Sequence, residues 1–330
     1  MSKSTKTTMK KSLPIILIFF AIAAIILILL KFNLPMNTFF WREIHNWGHI
    51  PLFGIMSVLI LNLSFIILRT KIQKRYLHYI FAFCITIMLG VMLEYLQISG
   101  PRDADIWDVV RDIIGAIIFL GAYLICDGKM AGLFKDRNKK FMIILAAGLL
   151  MLIIFSILPA AIWGSAYLYR NWNFPIICGF ESILENKFLE PQDAKLEITA
   201  LPEGWQNIKG EQAGRLTFLP AEYPGLNIKE PYPDWTAYGT FCFSIYSELE
   251  KPIALHIRID DLHYNQTWED RFNYSFTVLP GFNQIDISIE EIRQGLVNRE
   301  MDMTAIAAVL LFAHNPPDTF SFYIDDIMLK

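Results

Sequence analysis

Residues 90–115 read GVMLEYLQISGPRDADIWDVVRDIIG, and this stretch decides how the first half of the chain folds. It joins two apolar runs, residues 76–93 and 113–126, neither of which contains Asp, Glu, Lys or Arg. Between them stand Glu94, Gln97, Arg102, Asp105, Asp108, Arg111 and Asp112. An ionisable side chain costs about 2.5–3.5 kcal/mol at the centre of an inserted helix, so charges of both signs beside such runs need a local reason. Ser99-Gly100-Pro101 breaks a helix. Asp105, Asp108 and Asp112 then recur at i, i+3 and i+7, one stripe of the following helix, with Arg111 beside it. Glu94 and Gln97 share a face of the preceding helix, and Gly90, one turn deeper, allows a neighbouring helix to come close. The stretch reads as a helical hairpin with a polar site at its tip.

Working outward, residues 12–30 and 50–68 are also uncharged, and residues 141–169 form a longer uncharged run. About 20 apolar residues suffice to cross a bilayer, so spans are expected at 12–32, 50–68, 76–97, 106–126 and 141–163. The chain of 330 residues is 54% hydrophobic and 18% charged, with a net charge of −3, and the apolar excess lies in its first half. Beyond residue 170 charges, prolines and aromatics are dispersed as in an aqueous domain. The organisation expected is a membrane domain at 1–165, a short linker at 166–177 and an outer domain at 178–330, large enough for its own core. Trp163, Tyr167, Tyr169 and Trp172 suit an interfacial aromatic belt.

Loop charges give the orientation. Lys3, Lys6, Lys10 and Lys11 precede the first span, Arg69, Lys71, Lys74 and Arg75 follow the second, and Lys129, Lys135, Arg137, Lys139 and Lys140 follow the fourth. These segments are expected in the cytoplasm, which puts the 90–115 hairpin tip, the loop before His49 and the C-terminal domain outside a bacterial-type cell membrane. The first run ends in Lys31-Phe32-Asn33 without an Ala-x-Ala site there and reads as a retained anchor.

The pattern Gly48-His49-x3-Phe53-Gly54 opens the second span, followed in order by Gly90-x3-Glu94-x2-Gln97, Arg102-x2-Asp105-x2-Asp108 and Gly115. Over residues 12–126 this resembles the VanZ-like membrane proteins, a family named for a teicoplanin-resistance protein. The resemblance implies a cell-envelope role linked to glycopeptide-antibiotic tolerance. The family usually has Asn where this chain has Asp112, and the lysine often found before the histidine is absent, with Asn46 in that neighbourhood.

The candidate site is thus His49, Glu94, Gln97, Arg102, Asp105, Asp108, Arg111 and Asp112. It has two readings. As a lock, the charges pair and hold three helix ends together, with Asp108 and Asp112 favouring a helix N-terminus. As a pocket, His49 and Glu94 exchange protons while Arg102 or Arg111 holds a phosphate or carboxylate of an envelope lipid or cell-wall precursor; a divalent metal would also suit the donors. There is no nucleophile elbow, phosphate loop or His-Glu-x-x-His spacing, so no reaction class is assigned.

The outer domain shows short alternating runs at 194–200, 214–219, 239–247, 253–260, 273–279, 284–289, 305–313 and 319–329, expected as an all-β, two-sheet sandwich with one short helix at 289–296. Tyr223-Pro224-Gly225 reads as a turn. Phe180-Glu181, Asp234-Trp235, Asp260-Asp261, Arg271-Phe272-Asn273, Pro280-Gly281-Phe282-Asn283 and Phe322-Tyr323-Ile324-Asp325-Asp326-Ile327 resemble the jelly-roll, galactose-binding-like domains used as carbohydrate-binding modules. That resemblance implies adjacent first and last strands, with Glu181 and Asp326 sharing a structural calcium ion; the plain alternative is two solvated strand-end charges. Tyr223, Tyr232, His263, Tyr264 and Trp268 fall in expected loops, as sugar platforms or as packing staples, whereas Trp235 reads as core. Cys178 and Cys242 are the domain's two cysteines, with a bridge allowed by compartment and left open by spacing.

The leading expectation is an envelope membrane protein that binds or senses cell-surface glycan or glycan-bearing lipid. The alternative is a membrane enzyme acting on a lipid-linked or peptidoglycan precursor. A scaffold with a structural ion network is the third. Membrane lipid is an expected partner. Nucleic acid is not, for want of a basic outer patch.

Overall fold

In the computed structural model of the protein the described residues are 3–31, 37–97, 105–131, 138–205 and 210–330. The chain divides into two compact units, Met1–Trp163 and Gly164–Lys330.

The first unit is helical: α1 (Lys3–Lys31), α2 (Phe39–Ile67), α3 (Arg75–Gln97), α4 (Ile106–Cys126), the single turn α5 (Gly128–Ala131) and most of α6 (Asn138–Asn173). Five helices are long and apolar enough to cross a membrane: Leu13–Lys31, Phe39–Ile67, Arg75–Leu96, Ile106–Cys126 and Lys139–Asn173. α2, α3 and α4 pack on one another, α2 most extensively against α4. Gly115 makes that approach possible, because a Cβ there would stand 2.2 Å from the Ile50 carbonyl oxygen. Phe53, Met56 and Leu61 fill the centre. Much of the apolar surface of α1 and α6 points outward instead, with Phe20 72%, Ile143 67% and Ile144 70% exposed, although Ile25 and Leu29 of α1 join the core.

Two boundaries differ from those expected. α2 begins at Phe39 rather than residue 50, capped by Thr38, whose Oγ1 accepts from the Trp41 N–H at 3.3 Å. The stretch expected as a loop, with Glu43, His45, Asn46 and Trp47, is therefore helical; its polar residues hid it from a search for uniformly apolar runs. Residues 166–173, expected as linker, are the last turns of α6. They belong to the second unit: Arg170 Nη1 donates to the Glu230 carbonyl at 2.8 Å, and Tyr167 donates to the Glu230 carboxylate.

The second unit is a sandwich of two antiparallel sheets. Its strands are β1 (Ile176–Cys178), β2 (Leu189–Gln192), β3 (Ala194–Ala200), β4 (Gln212–Phe218), β5 (Gly225–Lys229), β6 (Thr240–Ser247), β7 (Ile253–Asp261), β8 (Phe272–Val278), β9 (Gly281–Ser288), β10 (Ile306–Phe312) and β11 (Phe320–Leu329). α7 (Ile289–Gln294) follows β9. One sheet runs β3-β4-β11-β6-β9 with β1 also on β11; the other runs β2-β5-β10-β7-β8. Inward residues of both sheets, among them Phe218, Phe241, Phe243, Phe322, Leu226 and Ile257, share one core with Trp235. Trp235 is fully buried, its Nε1 donating to the Tyr232 carbonyl at 2.8 Å.

Every run expected as a strand is one. β2 and β5 were not expected, because β2 contains Pro191 and β5 starts at Gly225, inside an expected turn. The first strand, expected to open at Phe180-Glu181, is instead the three-residue β1, and Phe180 follows it with φ +58°. The first and last strands do pair, β1 on β11. Cys178 and Cys242 are both free and buried. They flank β11 from opposite sides, Cys178 opposite Ile327 and Cys242 opposite Met328. Two inter-strand spacings, about 9.6 Å, exceed the reach of a disulfide, about 7 Å between Cα atoms. Burial pushes the Cys178 thiol well above its ordinary pKa.

Candidate functional site

The helical cluster forms where α2, α3 and α4 meet. Asp105 precedes α4 as its N-cap: its Oδ1 accepts from the Trp107 N–H at 2.9 Å, and its own N–H donates to Glu94 Oε2 at 3.2 Å. The acid on α3 is thereby tied to the start of α4. His49, buried on α2, lies between two acids of α4, its Nδ1 3.0 Å from Asp112 Oδ1 and its Nε2 3.6 Å from Asp108 Oδ2. Arg111 pairs with Asp108 and stands 3.5 Å from Asp105 Oδ2. Asp112 is 1% exposed, and its Oδ2 has no hydrogen-bond partner among the described residues. That oxygen fills the space beside Gly90, where a Cβ would stand 2.6 Å away. Spacing of the 90–115 stretch thus has a steric reading: glycine on α3 makes room for a carboxylate on α4.

The structure brings together His49, Glu94, Asp105, Asp108, Arg111 and Asp112. Arg102 and the side chain of Gln97 lie outside the described residues. His45, one turn before His49, sets its ring 6.0 Å from the His49 ring. One ligand atom each from His49, Glu94 and Asp108 lies within 4.8 Å of the others, a donor set that a divalent cation accepts, although Arg111 competes for Asp108. Without a metal, the arrangement can hold a proton between His49 and its flanking carboxylates.

The opposite end of the helices holds a second polar group, in which Arg75, one of the orienting loop charges, finds partners. Arg75 Nε donates to Asp127 Oδ2 at 2.5 Å and Tyr79 donates to the same oxygen at 2.8 Å. His78 Nδ1 is 3.0 Å from Ser64 Oγ. Asp127, directly after α4, was hidden by its neighbourhood of basic loop residues.

In the sandwich, the outward face of the β2-β5-β10-β7-β8 sheet carries a pattern that register makes explicit. Phe312 on β10 stands opposite His256 on β7, which stands opposite Ser275 on β8. The next row is Asn227, Leu310, Arg258 and Asn273. A third holds Lys229, Ala308 and Asp260. Arg258 is locked to Asp260 by a two-point fork, Nε to Oδ1 at 2.8 Å and Nη2 to Oδ2 at 2.6 Å, and Tyr264 lies 4.7 Å from its guanidinium. Burial opposes the Arg258 charge, yet the Asp260 bonds outweigh it and raise its pKa. At the other end Tyr223 packs beside Phe312 and His314, centroids 5.9 and 5.2 Å away. Burial, and then His314, lower the pKa of His256, which keeps it neutral at pH 7.

The five aromatic candidates therefore separate. Tyr223 and Tyr264 frame this face. Trp268 is 61% exposed on a 3-10 turn, and His263 pairs with Asp302 at 3.4 Å. Tyr232 is engaged in packing, stacked on Phe174 at 4.0 Å with Arg170 near its ring. His256, Arg258, Asp260, Leu310 and Phe312 were missed. Their signal was present in the alternation: 256–260 places polar residues at its outward positions, whereas Ala308, Leu310 and Phe312 are apolar where a solvated face would be polar.

For calcium, Glu181 Oε1 accepts from the N–H groups of Glu211 and Gln212 at 2.7 and 2.8 Å. The carboxylate across from it is Asp325, since a Cβ at Gly210 would stand 2.5 Å from Glu181 Oε1 and 3.8 Å from Asp325 Oδ2. Asp326 sits at a register shift of β11 with φ +53°.

No family model and no curated protein matches the chain. Among solved structures, a family 11 carbohydrate-binding module from Clostridium thermocellum, in complex with a β-1,3-1,4-mixed-linked tetrasaccharide, is similar at 19% identity and a TM-score of 0.36, covering 47% of this chain and 93% of that one. An exo-β-agarase matches at 14% identity and a TM-score of 0.37, over 47% of this chain and 25% of that one. Likeness at this level says nothing of what this chain binds.

Proposed function

We propose that the protein is anchored in a membrane by its helical unit and binds a glycan, or the glycan of a lipid, on the outward face of the β2-β5-β10-β7-β8 sheet. The observation that carries the reading is the Phe312, His256 and Arg258 patch, with Arg258 held ready by Asp260 and with tyrosines at both ends. A sugar presents apolar C–H faces and a rim of hydroxyls, so an aromatic and aliphatic strip beside a fixed guanidinium and amides is complementary to it. Five strands span about 19 Å, room for an extended oligosaccharide. Membrane anchoring rests on the outward-facing apolar residues of α1 and α6, a surface too large to leave in water. Loop charges support a cytoplasmic N-terminus and a sandwich outside.

A glycan array probed with the detergent-solubilised full chain tests the reading. We expect binding to a defined glycan class that is weakened in Arg258→Ala, and no binding to any glycan would overturn it.

A second reading is supported by His49 lying between Asp108 and Asp112 with Glu94 at hand. The cluster is then a proton-transfer site for a lipid-linked or peptidoglycan precursor, in keeping with the VanZ-like pattern and its link to glycopeptide tolerance. His49→Asn and Glu94→Gln proteins that insert normally should lose the tolerance phenotype; unchanged drug sensitivity would leave the cluster as a structural lock. A calcium ion at Glu181, shared with Asp326 as the resemblance implies or with Asp325 across from it, would show as a rise in the unfolding temperature of the sandwich in excess Ca²⁺, and no shift would overturn it.

A further inference from the structure

The end of the helical unit remote from His49 carries two cavities of opposite character that share a wall. The first, about 510 Å³, is lined by Phe65, Arg69, Ile72, Gln73, Arg75, His78 and Lys129, three cations and no acid. Arg75 is committed to Asp127. Arg69 and Lys129 are exposed and form no ion pair among the described residues. The second, about 320 Å³, is lined by apolar side chains of α1, α2 and α3, among them Phe19, Ile22, Ile60, Ile67, Ile85 and Leu89, with Ser64 as its one polar residue. Ser64 Oγ is bonded to His78 Nδ1 at 3.0 Å, and His78 Nε2 is 3.2 Å from the Ile72 carbonyl. The wall between the cavities is therefore one hydrogen-bonded pair, with both imidazole nitrogens already engaged.

We propose that this is a binding site for an anionic phospholipid, its phosphate held by Arg69 and Lys129 and one acyl chain lying in the apolar groove. The charge complementarity is specific. Two cations without an ion pair among the described residues face a cavity whose described lining holds no carboxylate, and Arg and Lys are the residues that recognise phosphate. A basic pocket between helices at the cytoplasmic ends is also where acidic headgroups reside. A soluble phosphate compound would use the first cavity and leave the groove unexplained; a lipid uses both. The groove also puts α1 to work, because Phe19 and Ile22 would meet the chain from one side while α2 and α3 meet it from the other.

The inference takes from the preceding section that the helices lie in a bilayer with this end at the cytoplasmic face. To test it, the full chain is reconstituted into phosphatidylcholine membranes with and without phosphatidylglycerol, and lipid retained after extraction is identified by native mass spectrometry. Phosphatidylglycerol should be enriched over its bulk fraction and should raise the unfolding temperature of the helical unit. Replacing the two exposed cations together, Arg69→Ala with Lys129→Ala, should weaken retention about 30-fold, at about fivefold per cation. Ile85→Trp, which fills the groove and keeps both cations, should weaken it as well. Retention unaffected by both variants would overturn the proposal, as would inorganic phosphate stabilising the protein as well as the lipid does. A protein that enters phosphatidylcholine membranes without preferring phosphatidylglycerol overturns this site alone. One that enters no bilayer overturns the anchoring reading with it.

Discussion

The two polar constellations of this protein are built by opposite means. At the helical cluster, His49, Glu94 and Asp112 come from three helices and are buried, and they meet because Gly115 lets backbones approach and Gly90 leaves room for the Asp112 carboxylate. On the sandwich face, His256, Arg258 and Asp260 come from one strand, placed by the two-residue period that every strand has, and the first two remain partly open. The first depends on close packing between elements, the second on register within a sheet. One should fail sharply when volume is added; the other should tolerate changes in its chemistry without unfolding.

The largest effect is expected from adding volume to the first. Gly115→Val directs a side chain at the Ile50 carbonyl and should cost about 3 kcal/mol, the upper end for overpacking, read by unfolding of the full chain in detergent. The same change at Gly48, where a Cβ would meet nothing within 4 Å, is the control and should cost far less. Equal effects at both positions would show that close helix approach does not set the site.

Next comes the His49 pairing. Asp112→Ala leaves His49 Nδ1 without its acceptor and should cost about 1–3 kcal/mol. Asp112→Asn keeps an acceptor for His49, and since Oδ2 of Asp112 has no partner to lose, it should cost less than about 1 kcal/mol. If the two variants prove equally unstable, the carboxylate charge itself is what the cluster needs.

On the sandwich, Arg258→Ala should lower glycan affinity about tenfold, corresponding to about 1.4 kcal/mol, while the unfolding temperature of the unit stays close to that of the unsubstituted chain. A variant that unfolds instead would mark Arg258 as a structural residue and erase the contrast.

The smallest effect concerns acid. Burial of Asp261 opposes its ionisation, but hydrogen bonds from Arg299 and from the Asp302 N–H outweigh it and hold its pKa below the ordinary 3.8. Arg299, bonded to Asp270 as well, lowers that carboxyl too. Groups depressed on folding stabilise the native state fully above their unfolded values, near pH 4, and the contribution fades as pH falls through the lower folded values. Tryptophan fluorescence between about pH 5 and pH 2 should show the sandwich losing stability, with a shallower decline in Arg299→Met. The same slope in both would remove Arg299 from the account.

How much could be read from the sequence differs between the units for a physical reason. Apolar length identifies the helices, and all five runs long enough to cross a bilayer are helices. What it missed was the N-terminal part of α2, where Glu43, His45 and Asn46 are polar and still helical. The residues of the His49 cluster were legible from their three-and-four spacing, because a helix turns spacing into a shared face. The partner of each was not: that Asp112 would meet His49 across the bundle, beside Gly90, depends on helix crossing, which no local pattern encodes. In the sandwich the strands announced themselves by alternation except where proline and glycine interrupted it, in β2 and β5. The sugar candidates were sought in loops because loop aromatics are conspicuous singly. The sheet face is conspicuous only once β10 and β7 are aligned, when Phe312 is seen to stand beside His256.

The proline that concealed β2 has a consequence of its own. β2 is an outer edge of the sheet proposed to hold glycan, and an edge offers its unused N–H and C=O groups to any passing strand. Pro191 contributes no N–H, so the ladder offered there is interrupted, and Glu190 and Lys229, 2.9 Å apart, place charge beside it. Copies of the protein sharing one surface would stand side by side at high local density. There, a broken edge keeps neighbouring sandwiches from zipping together into aggregates.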